Sequence, residues 1–151
     1  MIRHVAASLV FALSVSCSLQ EQSAPPLIGP SEFSTSVTLT ASPDVLATDG
    51  ESKALVTITV LNAYGIAVRG LSLRAETRVN GNAVSLGTLS ARNLATDDSG
   101  RATLAYVAPM IHGDQDTGIV VDIAVTPLGG NVANAVSRTV SIRLVPPISV
   151  R

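Results

Sequence analysis

In residues 55–61, LVTITVL, apolar and polar side chains alternate. Successive residues of a β-strand point to opposite faces of its sheet, so Val56, Ile58 and Val60 share one face. The two threonines between them take the other face. This pattern predicts a strand that packs one face on a core and turns the other to solvent.

The same alternation recurs along the chain in short segments that Gly, Pro, Asn and Asp separate. With the first segment they make seven runs, and no stretch has helical periodicity. We therefore expect a single all-β sandwich of about seven antiparallel strands over residues 35–147. The other six runs are residues 37–41, 71–76, 83–89, 102–107, 119–126 and 136–145.

Three glycines follow residues that favour tight turns. Asn80-Gly81 is typical of a type I′ hairpin turn, in which both central residues need a positive φ. Gly100 ends Asp97-Asp98-Ser99-Gly100, and Gly65 ends Asn62-Ala63-Tyr64-Gly65, two turns of type I closed by a left-handed glycine. Gly65, Gly81 and Gly100 are therefore predicted turn residues.

The N-terminus has the composition of a secretory signal peptide over residues 1–16. Arg3 supplies a positive charge, and residues 5–15, VAASLVFALSV, form an apolar run about half as long as a membrane-spanning helix needs. Residues 17–34 then turn to Ser, Gln, Glu and Pro, which is typical of an extended, solvated tether. Residues 148–151 are read as a C-terminal tail.

Cys17, the only cysteine of the chain, directly follows the apolar run. Val15 and Ser16 before it resemble the lipobox of bacterial lipoproteins, which implies that Cys17 is diacylated and anchors the protein to a membrane. The serine after Cys17 is unlike an inner-membrane retention signal, which favours an outer membrane where the cell has one. The alternative is ordinary cleavage near Ser16 or Ser18, which releases a soluble secreted domain.

Residues 41–70 resemble the start of the bacterial immunoglobulin-like domains of invasin and intimin adhesins. They contain Ser42-Pro43, Thr48-Asp49-Gly50, a threonine-rich strand and the connection NAYGIAVRG, and a second block follows at residues 96–104, TDDSGRATL. The resemblance implies an immunoglobulin-like sandwich that acts outside the cytoplasm as an adhesion, protein-binding or spacer module. It implies no enzyme and no cofactor.

Few residues could carry chemistry. His112, Asp114 and Asp116 lie in one loop, where they could bind a small ligand, but no glutamate stands eleven residues after Asp114 to complete an EF-hand. One cysteine and one histidine after residue 16 exclude a zinc site of the usual kind. Without residues 1–16, nine basic and eleven acidic side chains remain, a formal charge of −2 that is unsuited to nucleic acid.

The usual strand order of such a sandwich gathers its loops at two ends. We expect residues 62–69, 91–100 and 127–135 at one end, and residues 43–52, 79–83 and 108–118 at the other. Sugar-binding platforms rely on exposed aromatic rings; Tyr106 alternates with core positions, which leaves Tyr64 in a turn. A protein partner, or another surface polymer, is therefore expected to bind through loops or a strand edge.

Overall fold

The computed structural model describes residues 35–112, 118–129 and 136–147. These residues form ten strands and no helix. The strands are β1 Thr35–Ser42, β2 Val45–Ala47, β3 Lys53–Asn62, β4 Ser72–Val79, β5 Asn82–Ala83, β6 Thr88–Leu89, β7 Asn93–Ala95, β8 Arg101–Val107, β9 Val120–Leu128 and β10 Arg138–Val145.

The strands form two sheets that pack face to face. The first sheet has the order β1-β3-β8-β6, and the second has the order β2-β10-β9-β4-β5, with β7 also paired to β4. Every pairing is antiparallel except that of β2 with β10. The predicted all-β sandwich is confirmed.

Two of the changes of sheet involve short strands that the sequence analysis did not predict. The cis bond Ser42-Pro43 lies between β1 of the first sheet and β2 of the second. The predicted single run over residues 83–89 is wrong, because it forms β5 in the second sheet and β6 in the first. The break comes at Gly87, whose φ is 73° and whose Cα lies so near Tyr106 that a Cβ would be 2.5 Å from the ring.

The core contains the inward faces that the alternation predicted. Ile58 on β3 and Leu104 on β8 are fully or almost fully buried, as are alternate residues of the paired strands. Tyr106 is fully buried, as predicted, and its hydroxyl donates to the Leu86 carbonyl at 3.1 Å. Burial of the phenol raises the pKa of Tyr106 to about 12. The core therefore contains an aromatic side chain whose hydroxyl has a hydrogen-bond partner.

We predict that Ile58→Ala lowers the free energy of unfolding by about 2–5 kcal/mol, because it leaves a cavity between the sheets. Thr38→Ala, on the solvent face of the neighbouring strand β1, is the control and should change it by less than about 0.5 kcal/mol. Urea unfolding of both variants measures the difference. Equal effects would contradict the assigned faces.

Candidate functional site

Thr96 attaches the segment after β7 to the second sheet. Its N–H donates to the Leu71 carbonyl at 3.1 Å, and its hydroxyl accepts the Leu71 N–H at 2.9 Å. The same hydroxyl donates to the Val68 carbonyl at 2.6 Å, while the Thr96 carbonyl accepts the Gly70 N–H. Thr96 is buried, so these four bonds satisfy its polar groups out of water.

Asp97, the next residue, attaches the chain to the first sheet. Its N–H donates to the Arg101 carbonyl at 2.7 Å, and its carboxylate accepts the Arg101 N–H at 2.9 Å. The carboxylate also accepts the Ser99 hydroxyl at 2.6 Å and the Ser99 N–H at 2.8 Å. These bonds hold the pKa of Asp97 below its usual value, and the bond from the Ser99 hydroxyl contributes most.

The outer edge of β8 is held at a second point by Ser90. The Ser90 N–H donates to the Ala105 carbonyl at 2.8 Å, and the Ser90 hydroxyl accepts the Ala105 N–H at 2.9 Å. In an antiparallel ladder the two backbone groups of one residue point to the same side, and those of the next residue point to the other. Arg101, Thr103 and Ala105 therefore all direct their backbone groups to this edge.

Thr103 lies between the two attachments. Within residues 35–112, 118–129 and 136–147, no hydrogen-bond partner approaches its edge-facing N–H and C=O. Strand β7 faces Thr103 from the second sheet. Arg92 bonds to Ala75 and Thr96 bonds to Leu71, so in the alternating ladder the N–H and C=O of Ala95 point away from β4. Two strand edges, one from each sheet, are thus open at neighbouring positions.

Between these edges runs an open groove of about 360 Å³, here called the β7–β8 groove. Leu94 and Ala102 give it an apolar floor, and the Arg101 side chain is exposed at its rim. The groove offers unpaired backbone donors and acceptors beside an apolar surface, which is what an extended peptide needs to add a strand. Its lining residues are Leu94, Ala95, Asp97, Arg101, Ala102 and Thr103.

A second exposed feature, here called the apolar tip, consists of Tyr64 and Ile66 in the loop after β3. Their side chains are 67% and 62% exposed. The Asn62 side-chain oxygen accepts the N–H groups of both residues, at 2.9 and 3.0 Å, and the Asn62 N–H donates to the Ile66 carbonyl. The loop is therefore a closed, hydrogen-bonded unit that presents two large apolar side chains to solvent.

The loop contacts agree with part of the predicted grouping of loops at two ends, that of residues 62–69 with 91–100 and that of residues 43–52 with 108–118. Gly70 bonds Thr96 at the end with the apolar tip, where an exposed ion pair joins Arg69 to Asp98 at 2.8 Å. At the opposite end, Asp49 pairs with Met110 in an isolated bridge. The end with the tip thus also contains the turn that borders the β7–β8 groove.

Of the predicted ligand loop, the structure describes His112, which is exposed at the opposite end, whereas Asp114 and Asp116 lie outside the described residues. Among the residues that are described, no three His, Cys, Asp or Glu side chains cluster as metal ligands would. The nearby Asp49 carboxylate accepts bonds from the Ser52 hydroxyl, the Ser52 N–H and the Glu51 N–H, which lower its pKa to about 2. It serves a turn.

The three predicted turn glycines all have positive φ: 75° at Gly65, 81° at Gly81 and 71° at Gly100. Their surroundings differ. A Cβ at Gly100 would lie 2.5 Å from the Val60 carbonyl oxygen, whereas one at Gly65 or Gly81 would meet nothing within 4 Å. Gly100 thus allows the turn beside the groove to pack directly on β3.

Sequence reasoning missed the β7–β8 groove. Residues 91–100 read as a loop, because strand β7 is only three residues long and carries one apolar side chain, Leu94. The turn at residues 96–100 was predicted correctly, but the turn alone does not indicate that its first two residues bond to different sheets. One sequence signal for the groove is Ser90, which lies seven residues before Asp97 and whose hydroxyl can also bond to a strand edge.

None of the described residues belongs to a helix that is long and apolar enough to cross a membrane.

No protein-family model and no curated protein matches the sequence. Solved structures do match. The D00-D0 domain of intimin superposes with a TM-score of 0.55 at 20% identity, covering 78% of this chain and 51% of that one. The fold is immunoglobulin-like.

Two further adhesin structures match in the same way. The adhesin InvE of Yersinia pseudotuberculosis gives a TM-score of 0.55 at 21% identity, over 78% of this chain and 29% of that one. A C-terminal intimin fragment, solved with the intimin-binding domain of the translocated intimin receptor, gives 0.53 at 17% identity, over 72% and 33%. The chain thus spans about half or less of these structures, and such identities establish the fold alone.

We predict that Gly100→Ala destabilises the domain more than Gly65→Ala. Both substitutions place a Cβ at positive φ, which costs about 1–2 kcal/mol. Only Gly100→Ala adds a collision with a backbone oxygen, so its loss of unfolding free energy should exceed that of Gly65→Ala by at least about 1 kcal/mol. Denaturant unfolding measures both, and indistinguishable variants would refute the close approach to β3.

Proposed function

We propose that this protein is an exported immunoglobulin-like module, anchored to a membrane by lipid on Cys17, that binds another protein at the cell surface or in the periplasm. The observation that carries the binding role is the β7–β8 groove, where Thr103 and Ala95 present unpaired backbone groups beside an apolar floor. The module acts in adhesion or in assembly with a partner, and not as a catalyst.

The binding mode that fits the groove is strand addition. An extended peptide accepts a hydrogen bond from the Thr103 N–H and donates one to its carbonyl. Alternate side chains of that peptide then point to Leu94 and Ala102, and the others point to solvent. An acidic side chain near the rim would meet Arg101, which favours peptides with a carboxylate at that position.

The structural neighbours support a protein as the partner. The intimin fragment that contains a domain of similar fold was solved bound to a domain of its receptor, so domains of this kind occur in proteins that bind other proteins. The present chain spans a third of that fragment, and the receptor-binding surface is not carried over to it.

The second candidate is a soluble secreted domain that binds protein or carbohydrate, which follows if Cys17 carries no lipid. Tyr64 is the aromatic side chain that the described surface offers to a sugar ring, since Tyr106 is fully buried. A single exposed ring favours the protein partner over the sugar.

We predict that Thr103→Pro weakens binding of an extended peptide at least about tenfold, because proline removes the groove-facing N–H. Heptapeptides selected from a displayed random library against the immobilised protein are the probe, and fluorescence polarisation measures each affinity. Thr103→Ala keeps the N–H and should bind as the wild type does.

Ala95→Pro tests the other wall of the groove in the same assay, and it replaces Thr103→Pro if that variant loses its far-ultraviolet circular dichroism. Peptides that bind wild type and both folded proline variants equally would exclude strand addition in this groove.

We predict that the full-length protein made in a bacterium gains the mass of a diacylglycerol and pellets with membranes, whereas Cys17→Ala gains no lipid mass and does not pellet. Intact mass spectrometry and membrane fractionation measure both properties. If wild type and variant are both soluble and cleaved near Ser16 or Ser18, the secreted alternative holds.

A further inference from the structure

We propose that the apolar tip, Tyr64 and Ile66, rests in the interfacial layer of the bilayer that carries the anchor. The inference depends on the proposed lipid at Cys17 for its setting in the cell. It assigns the tip a lipid partner, and it fixes which end of the sandwich faces the membrane.

The tip lies where the tethered chain enters the sandwich. Thr35, the first residue of β1, pairs with Asn62, the residue whose side chain closes the loop of Tyr64 and Ile66. At the other terminus, Val145 pairs with Ala47 at the opposite end of the molecule. The tether therefore joins the sandwich at the end with the tip, which favours contact of that end with the membrane over contact of the end with Met110.

The length of the tether makes weak contact sufficient. Residues 17–34 can extend at most about 60 Å, and a short linker holds its two ends at an effective concentration on the order of millimolar. A membrane contact that would be negligible for an untethered domain then forms to a measurable extent. The two exposed apolar side chains of the tip then have only a weak contact to supply.

The loop is built to enter a layer that is poor in water. Bilayers penalise unpaired backbone groups, and the N–H groups of Tyr64 and Ile66 are already bonded to the Asn62 side chain. Gly65 donates to the Asn62 carbonyl at 3.0 Å, so its N–H is satisfied too. Tyrosine, with an apolar ring and a polar hydroxyl, prefers this interfacial depth.

Charge favours the same orientation. Beside the tip, Arg69 and Asp98 neutralise each other in an ion pair. The opposite end carries three carboxylates within residues 43–52 beside two cations, Lys53 and Arg143, and an anionic bilayer repels the remaining excess of negative charge only weakly. The three carboxylates are those of Asp44, Asp49 and Glu51.

The test uses the absence of tryptophan from the sequence. Tyr64→Trp places a single indole at the tip, and Met110→Trp is the matched control, since Met110 is 63% exposed at the opposite end. The mature chain, residues 17–151, is coupled through Cys17, its only cysteine, to a maleimide phospholipid in vesicles of phosphatidylcholine with brominated acyl chains. Vesicles without bromine give the baseline.

We expect lipid brominated near the headgroup end of its acyl chains to quench the fluorescence of Tyr64→Trp at least about twofold and that of Met110→Trp hardly at all, because bromine quenches an indole only at short range and only the tip rests in the interfacial layer. Ile66→Trp should behave as Tyr64→Trp does, and it serves if that variant does not fold. Equal quenching at both ends, or none at either tip position, would overturn the proposal.

Chemical coupling separates this result from the anchor itself. If the cell attaches no lipid to Cys17, the mass measurement rejects the anchor while the quenching still reports on the tip. If the lipid is present and the tip remains unquenched, the anchor stands and the tip proposal falls.

Discussion

One peptide step, from Thr96 to Asp97, fixes how the two sheets meet. Thr96 bonds with both backbone and hydroxyl to Leu71, the residue directly before β4 of the second sheet, and Asp97 bonds with both backbone and carboxylate to Arg101 of the first sheet. Adjacent residues thus bond to opposite sheets, so the chain cannot continue alongside β4 or β8. The spacing of the sheets at this edge and the shape of the turn to Gly100 both follow from that step.

The β7–β8 groove is a direct consequence. Because the chain leaves β8 after Ser90 and returns to it only at Asp97, the edge between these attachments has no strand beside it. Unpaired strand edges invite pairing with another chain, and natural sandwiches keep them short. Here the open edge is reduced to the backbone groups of Thr103, which limits nonspecific association and leaves one defined position for a partner. The apolar tip lies at the same end of the molecule because Val68 and Gly70, which follow it, bond to Thr96.

The alternation of side chains predicted the sandwich and its core, since a strand with period two has one way to bury its apolar face. Ile58 and Tyr106 lie where the pattern placed them. Residues 83–89 did not, because local alternation does not record that Gly87 packs on a tyrosine from a distant strand. The groove was beyond prediction for the same reason: it depends on which sheet each of two neighbouring residues joins, a choice made by bonds to Leu71 and Arg101 across the fold.

The proposed binding site requires that the outer edge of β8 is open at Thr103. Amide hydrogen exchange of the free protein, followed residue by residue by NMR, measures whether it is. We expect the Thr103 amide to exchange orders of magnitude faster than that of Leu104, which belongs to the ladder with β3, and faster than that of Ala105, which Ser90 protects. A Thr103 amide as protected as its two neighbours would mean that the edge is already occupied, and the proposed site would be lost.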